Sequence, residues 1–270
     1  MVRRSNPNKW KLITTAPNSF IGEVQTYTSS TSNVSLSGSG SLQITPRKDG
    51  NNNWTSGRLE GQFAYACPPG LRILLQAELR LGTAPFAQQA GIWPAFWALG
   101  AGFAKTGADH VDWSKCGEWD IVENAHGVDW TLASIHYGPQ GGSPFDTMKG
   151  GDPNSSAKRQ FNVNEFHTFA LKVNRSDSDW RKEQLEWFID GARWFIVKGA
   201  DVNDFTLWEN LAHKPFYSVL NVAVGSNFPA VGGKPDGNTV SGLGSGMQVK
   251  YVAFYESDYT GYPAWELGSH

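Results

Sequence analysis

Nowhere in the 270 residues do apolar side chains run for the roughly 18 positions that a membrane helix needs, so no spanning helix and no membrane partner are expected. Charge is scarce and balanced. The 23 Lys and Arg face 25 Asp and Glu, for a formal net charge of −2, without a long run of one sign. A nucleic-acid binder would carry a basic patch or stripe, and that class is excluded. Two cysteines, Cys67 and Cys116, can pair or both stay free; they cannot define a disulfide framework. Gly-x-Ser-x-Gly elbows and Walker loops are missing, which removes two common chemistries. His110 and Asp112 lie close together, but two candidate ligands do not make a metal site. No apolar segment follows the basic Met1–Asn6, so no secretory signal is read there.

Helical periodicity is nearly absent too. What recurs instead is alternation with period two, broken by Gly, Pro, Asn and Ser clusters, the pattern of twisted antiparallel sheets. Leu75, Ala77, Leu79 and Leu81 alternate with Leu74, Gln76, Glu78 and Arg80. Apolar runs at 185–189 and 193–197 flank Asp190-Gly191, a strong hairpin signal because both central residues of a type I′ turn need positive φ. Tyr217 to Val224 and Met247 to Tyr255 read as further strands, and Ser35 to Ser41 as a hairpin tip rather than a linker. One helical turn is expected near Phe205 to Leu211. Long Pro/Gly-rich loops at 138–153 and 225–246 are where function is expected on a rigid scaffold. The fold class is therefore all-β: a single-domain sandwich of two antiparallel sheets over 1–270, with the extreme termini outside the fold.

Tryptophan is abundant, with 12 residues. Its large ring carries a polar N–H and is hard to bury completely. About half of these rings are assigned to the core on those grounds. The remainder suit sugars, which present apolar C–H faces and hydroxyl edges. The chemistry concentrates in Glu118-Trp119-Asp120-Ile121-Val122-Glu123. Alternation puts Glu118 and Asp120 on one face of a strand, and Glu123 on the other unless a bulge at Ile121-Val122 returns it. With a bulge the two Glu Cα atoms are about 13 Å apart at roughly 3.3 Å per residue. Two leaning side chains then leave a gap of about 5 Å. Retaining glycosidases hold their carboxyls about 5–5.5 Å apart, and inverting ones about 6.5–9.5 Å. Crowded acids also raise at least one pKa, which separates an acid from a nucleophile. A solvent-facing acidic stripe paired with Lys or Arg fits the spacing equally well.

The residues resemble glycoside hydrolase family 16 in its bulged branch, Glu-x-Asp-x-x-Glu, and among its members the fungal-type laminarinases and endo-β-1,3(4)-glucanases. Further matches follow in the family's order: Glu23 to Thr28 with Asn33, Trp54 to Arg58, Gly91-Ile92-Trp93-Pro94-Ala95-Phe96-Trp97, Phe166 to Phe169, and Leu220 to Gly225. The resemblance implies a jelly-roll sandwich with a concave substrate cleft. It implies an endo-acting, retaining β-glucan hydrolase that cleaves β-1,3 and mixed β-1,3-1,4 linkages. By position, Glu118 resembles the nucleophile, Glu123 the acid/base and Asp120 the helper between them. Asn33, Arg58, Trp93, Trp97, Trp113 and His136 resemble substrate-binding positions. Arg58 could instead be a surface ion pair, His136 a structural residue, and Trp93 and Trp97 core.

Departures from the pattern matter as well. Tyr137 and Phe145 stand where fungal-type relatives carry Cys, so a loop-stapling bridge is missing. Phe228 replaces a stacking Trp and joins the expected substrate-binding set. Lys250 stands near the point where calcium-binding members place an acid, so no metal and no cofactor are expected. A monomer acting on polysaccharide is expected, secreted, its signal segment already removed. The rival reading is a non-catalytic β-glucan-binding protein on the same sandwich; such relatives lose catalytic acids, and all three are present here.

Overall fold

The computed structural model describes residues 9–138, 156–225 and 233–257. In chain order its strands begin with β1 (Trp10–Leu12), β2 (Gln25–Tyr27), β3 (Val34–Leu36), β4 (Leu42–Ile44), β5 (Arg47–Lys48), β6 (Trp54–Ser56), β7 (Arg58–Gly61), β8 (Arg72–Leu81) and β9 (Ile92–Gly100). They continue with β10 (Glu118–Glu123), β11 (Trp130–His136), β12 (Ser156–Gln160), β13 (His167–Asn174), β14 (Gln184–Ile189), β15 (Ala192–Lys198), β16 (Phe216–Val224) and β17 (Met247–Ser257). Two short helices, α1 (Gly199–Val202) and α2 (Phe205–Ala212), lie between β15 and β16.

Seven strands in the order β1-β7-β16-β9-β10-β11-β12 form a front sheet, and seven in the order β15-β14-β13-β8-β17-β4-β3 form a back sheet. β2, β6 and β5 make a small third sheet. The expected sandwich is present, and its local signals are where the sequence put them. Asp190 and Gly191 turn the β14–β15 hairpin with φ of 51° and 76°, both positive as a type I′ turn demands. β3 and β4 pair antiparallel around the Ser/Gly tip. α2 starts at Asp204, whose side chain accepts from the Leu207 N–H and so satisfies one of the helix's orphan donors.

The core fills the space between the sheets. Phe96, Trp119, Ile121 and Leu220 come from the front sheet, Leu75, Leu79, Phe169 and Trp187 from the back, all essentially without exposure. Three fully buried indoles solve the problem of their N–H by donating it inward. Trp119 Nε1 reaches the Leu211 carbonyl at 2.9 Å, Trp187 Nε1 the Asp120 carbonyl at 2.8 Å, and Trp208 Nε1 Glu183 Oε2 at 2.6 Å. Trp119 also stacks on Phe216 at 3.6 Å between centroids, which ties β10 to the end of β16. Cys67 and Cys116 are both free and buried, and burial pushes each thiol up to about 12.

Candidate active site

The chain enters β10 through Gly117, whose φ is +82°. A Cβ there would sit 2.7 Å from the Asn210 carbonyl oxygen of α2, so glycine alone fits both the conformation and the space. β10 lies between β9 and β11. Against β9 its register runs Glu118 to Leu99, Trp119 to Ala98 and Asp120 to Trp97, then skips to Val122 with Phe96 and Glu123 with Ala95. Ile121 is the extra residue. Trp97 and Ala95 are two apart on one strand and share a face, so Asp120 and Glu123 share it too. The backbone groups at the bulge find side-chain partners. The Glu123 N–H donates to Thr131 Oγ1 at 3.1 Å, and the Asp120 carbonyl takes the Trp187 indole from the back sheet. The core side of the sandwich thus pins the distortion that shapes the front face.

Glu118, Asp120 and Glu123 are buried at 9%, 4% and 7% exposure, in a setting where an ionised carboxylate loses most of its hydration. Burial raises the Glu118 pKa, and the Asp120 charge raises it further. His136 and the Trp113 N–H work against that shift. Trp113 Nε1 donates to Glu118 Oε2 at 3.0 Å, and His136 Nε2 lies 3.8 Å from Glu118 Oε1 and 3.2 Å from Asp120 Oδ2. Glu123 is raised well above the ordinary carboxylate range, again by burial first and Asp120 second. Its side-chain hydrogen bond is weaker, from Ser134 Oγ at 3.4 Å. The two glutamates are therefore unequal in their hydrogen bonds: Glu118 has a close donor in Trp113, Glu123 the longer Ser134 bond, while His136 favours the charged form of both.

Around this trio the structure gathers most of the expected substrate-binding positions. His136 faces Glu118 across the β10–β11 register and packs its ring against Trp113 at 5.4 Å. Trp97 lies opposite Asp120, with the Arg58 guanidinium over its ring at 4.9 Å. Arg58 is also paired with Glu60 at 2.7 Å. Trp93 lies two residues from Ala95 on the same face of β9 and is half-buried. Asn33 lies deeper. It is 1% exposed; its Nδ2 donates to the Thr45 carbonyl and Thr55 Oγ1, and its Oδ1 accepts from Thr28, so its amide serves the loop packing rather than a sugar hydroxyl. Phe228, Phe145 and most of the 138–153 loop lie outside the described residues. Lys250 is paired with Glu78.

Sequence reasoning passed over Asn221, Tyr27 and Ser134, which the fold brings to the same face or its flank. Asn221 had a readable signal, a polar amide inside the apolar run of β16. Ser134 had one too, since it lies two residues before His136 and so shares its face. Tyr27 had none, because its link to β16 spans 194 residues. Among the described residues, Glu118, Asp120 and His136 are the group whose ligand-type atoms lie within 4.8 Å of one another. Two carboxylates and an imidazole suit a divalent cation by donor type. As they stand, they form an acid–imidazole cluster in which His136 faces both carboxylates.

No protein-family model matches the chain. The structure of an endo-1,3-β-glucanase from Streptomyces sioyaensis is similar over 95% of this chain and 92% of that one, with 34% identity and a TM-score of 0.85. A glucan endo-1,3-β-glucosidase A1 from Niallia circulans is 26% identical over 253 residues, 87% of this chain. SCLam, a non-specific endo-β-1,3(4)-glucanase from family GH16, shares the fold with a TM-score of 0.71 at 20% identity, over 96% of this chain and 88% of that one. The chain spans about a third to a half of the length of the curated relatives it matches.

Proposed function

This chain belongs to the endo-1,3-β-glucanases, or laminarinases, of glycoside hydrolase family 16, and from that membership we propose that it cuts internal bonds of β-1,3-glucan with retention at the anomeric carbon. Mixed β-1,3-1,4-glucan is its second substrate, and the branch is the one whose acid motif is bulged. One observation carries the reading: the extra residue Ile121 brings Glu118, Asp120 and Glu123 to one face of β10.

In the proposed reaction Glu118 attacks the anomeric carbon. The Trp113 N–H at 3.0 Å and the His136 ring support its charge. Glu123, whose pKa burial and the Asp120 charge raise, gives its proton to the leaving oxygen. A covalent glycosyl-enzyme forms at Glu118, and Glu123 then takes a proton from the water that hydrolyses it. Asp120 lies between the two glutamates in sequence and shares their face, and its charge opposes ionisation of both. Trp97, Trp93 and Trp113 supply apolar surface for glucosyl rings, with Arg58 as a donor beside Trp97. Polysaccharide is the only partner this scheme requires, and secretion as a monomer completes the proposal.

Release of reducing ends from laminarin tests it. Wild type should produce them, with the β-configured product formed first by NMR, and Glu118→Gln should lose at least about 10³-fold in kcat while its melting profile stays cooperative. Binding of laminarin by wild type without product would instead make the protein a glucan-binding module.

A further inference from the structure

A single row of residues crosses the front sheet from Glu123 through Ala95 and Asn221 to Arg58, on β10, β9, β16 and β7. Asn221 is 6% exposed, and chemistry forces the orientation of its amide. The Trp97 Nε1–H can only donate, so the atom 2.7 Å from it must be Asn221 Oδ1. That choice turns Nδ2 toward the Tyr27 hydroxyl at 3.2 Å. The hydroxyl accepts there and sends its own proton toward Glu23 Oε1 at 3.5 Å. The chain of donors runs one way, from indole to carboxylate. Meanwhile Arg58 lies over the Trp97 ring, and Glu60 Oε1 holds Arg58 through Nε and Nη2 at 3.0 and 2.7 Å. Trp97 is thus fixed at its polar edge and along one face, two residues from Ala95 and opposite Asp120.

We propose that Asn221 is a positioning residue for glucan recognition: it holds the Trp97 indole at the angle that walls the glucosyl position beside the carboxylates. The proposal rests on the β-glucanase reading above. Asn221 touches no reacting atom. Its loss frees the indole to turn and weakens ground-state and transition-state binding alike, which raises KM and leaves kcat in place.

The test is steady-state hydrolysis of laminari-oligosaccharides by wild type, Asn221→Leu, Asn221→Asp and Tyr27→Phe, with melting temperatures alongside. Asn221→Leu keeps the volume and removes the acceptor, so KM should rise about five- to tenfold, the value of one buried hydrogen bond, with kcat within about twofold. Asn221→Asp keeps an oxygen for the indole N–H beside the Arg58 charge, and its KM should return to within about threefold of wild type. Tyr27→Phe loosens only the far end of the chain and should fall between; it decides the matter if Asn221→Leu does not fold. A parallel fall in kcat, an unmoved KM, or Asn221→Asp no better than Asn221→Leu would overturn the proposal. An inactive wild type on the same oligosaccharides would instead sink the functional reading itself.

Discussion

Trp113 offers the sharpest test of how the site sets its charges. Its indole N–H lies 3.0 Å from Glu118 Oε2, and its ring packs against His136. Trp113→Phe removes the N–H and keeps most of the ring. A hydrogen bond from a neutral donor to a charged acceptor is worth about 1.5–3 kcal/mol. Trp113 is half-buried while Glu118 is nearly covered, so the lower end applies, close to about 1.4 kcal/mol, or roughly one pH unit. The sign follows from which form the bond favours. It stabilises ionised Glu118, so its loss raises the Glu118 pKa further, and less nucleophile is ionised at any given pH. The acid limb of kcat/KM against pH should therefore move up by about one unit, with activity on that limb down about tenfold. The plateau above it should be nearly unchanged. A uniform loss at every pH, with the acid limb in place, would refute the electrostatic role and leave Trp113 as a sugar platform alone.

Glu123→Gln should raise the melting temperature while abolishing turnover, because it relieves a buried carboxylate whose side-chain donor among the described residues is Ser134, at 3.4 Å. The folded-state pKa is raised, so wild type carries no penalty below the ordinary carboxylate range and an increasing one as pH rises above it. The gap between variant and wild type should be near zero at about pH 4 and widen steadily as pH rises toward neutral, followed by calorimetry. Glu183→Ala should do the reverse. It strips the acceptor from Arg175 at 3.0 Å and from Trp208 and His213, each at 2.6 Å, at a cost of about 3–5 kcal/mol, seen as a melting temperature lower by about 10 °C. Cys67 and Cys116, with thiols pushed up to about 12, should ignore a thiol-reactive chromophore at pH 8 and both react after unfolding in guanidinium; rapid modification of the native protein would contradict their burial.

The chain's local order was open to reading because it rests on short-range physics. Alternation along β8, the Asp190-Gly191 turn and the helix at 205–212 depend on neighbours within a few residues, and each appears where that physics places it. The acid motif was legible as well, but its spacing alone allowed an acidic stripe, and the family resemblance pointed to the bulge that the β9 and β11 registers show. Asn33 could not be read this way. Its amide is bonded by Thr28, Thr45 and Thr55, which come together only through the packing of β6 and the segments after β2 and β4.

What the residues decided alone was the sandwich and the acid motif, with Glu123 on the far face unless a bulge returned it. What tertiary structure decided was how that cluster behaves. The Trp187 indole reaches across the core to the Asp120 carbonyl, Thr131 catches the Glu123 amide, and the Trp113 indole gives Glu118 a donor that Glu123 lacks. Each of those contacts joins chain segments 5 to 67 residues apart, or faces a residue across a sheet register. No pattern along one strand encodes such distances. Burial and donor geometry are properties of the assembled fold, and here they set the charges.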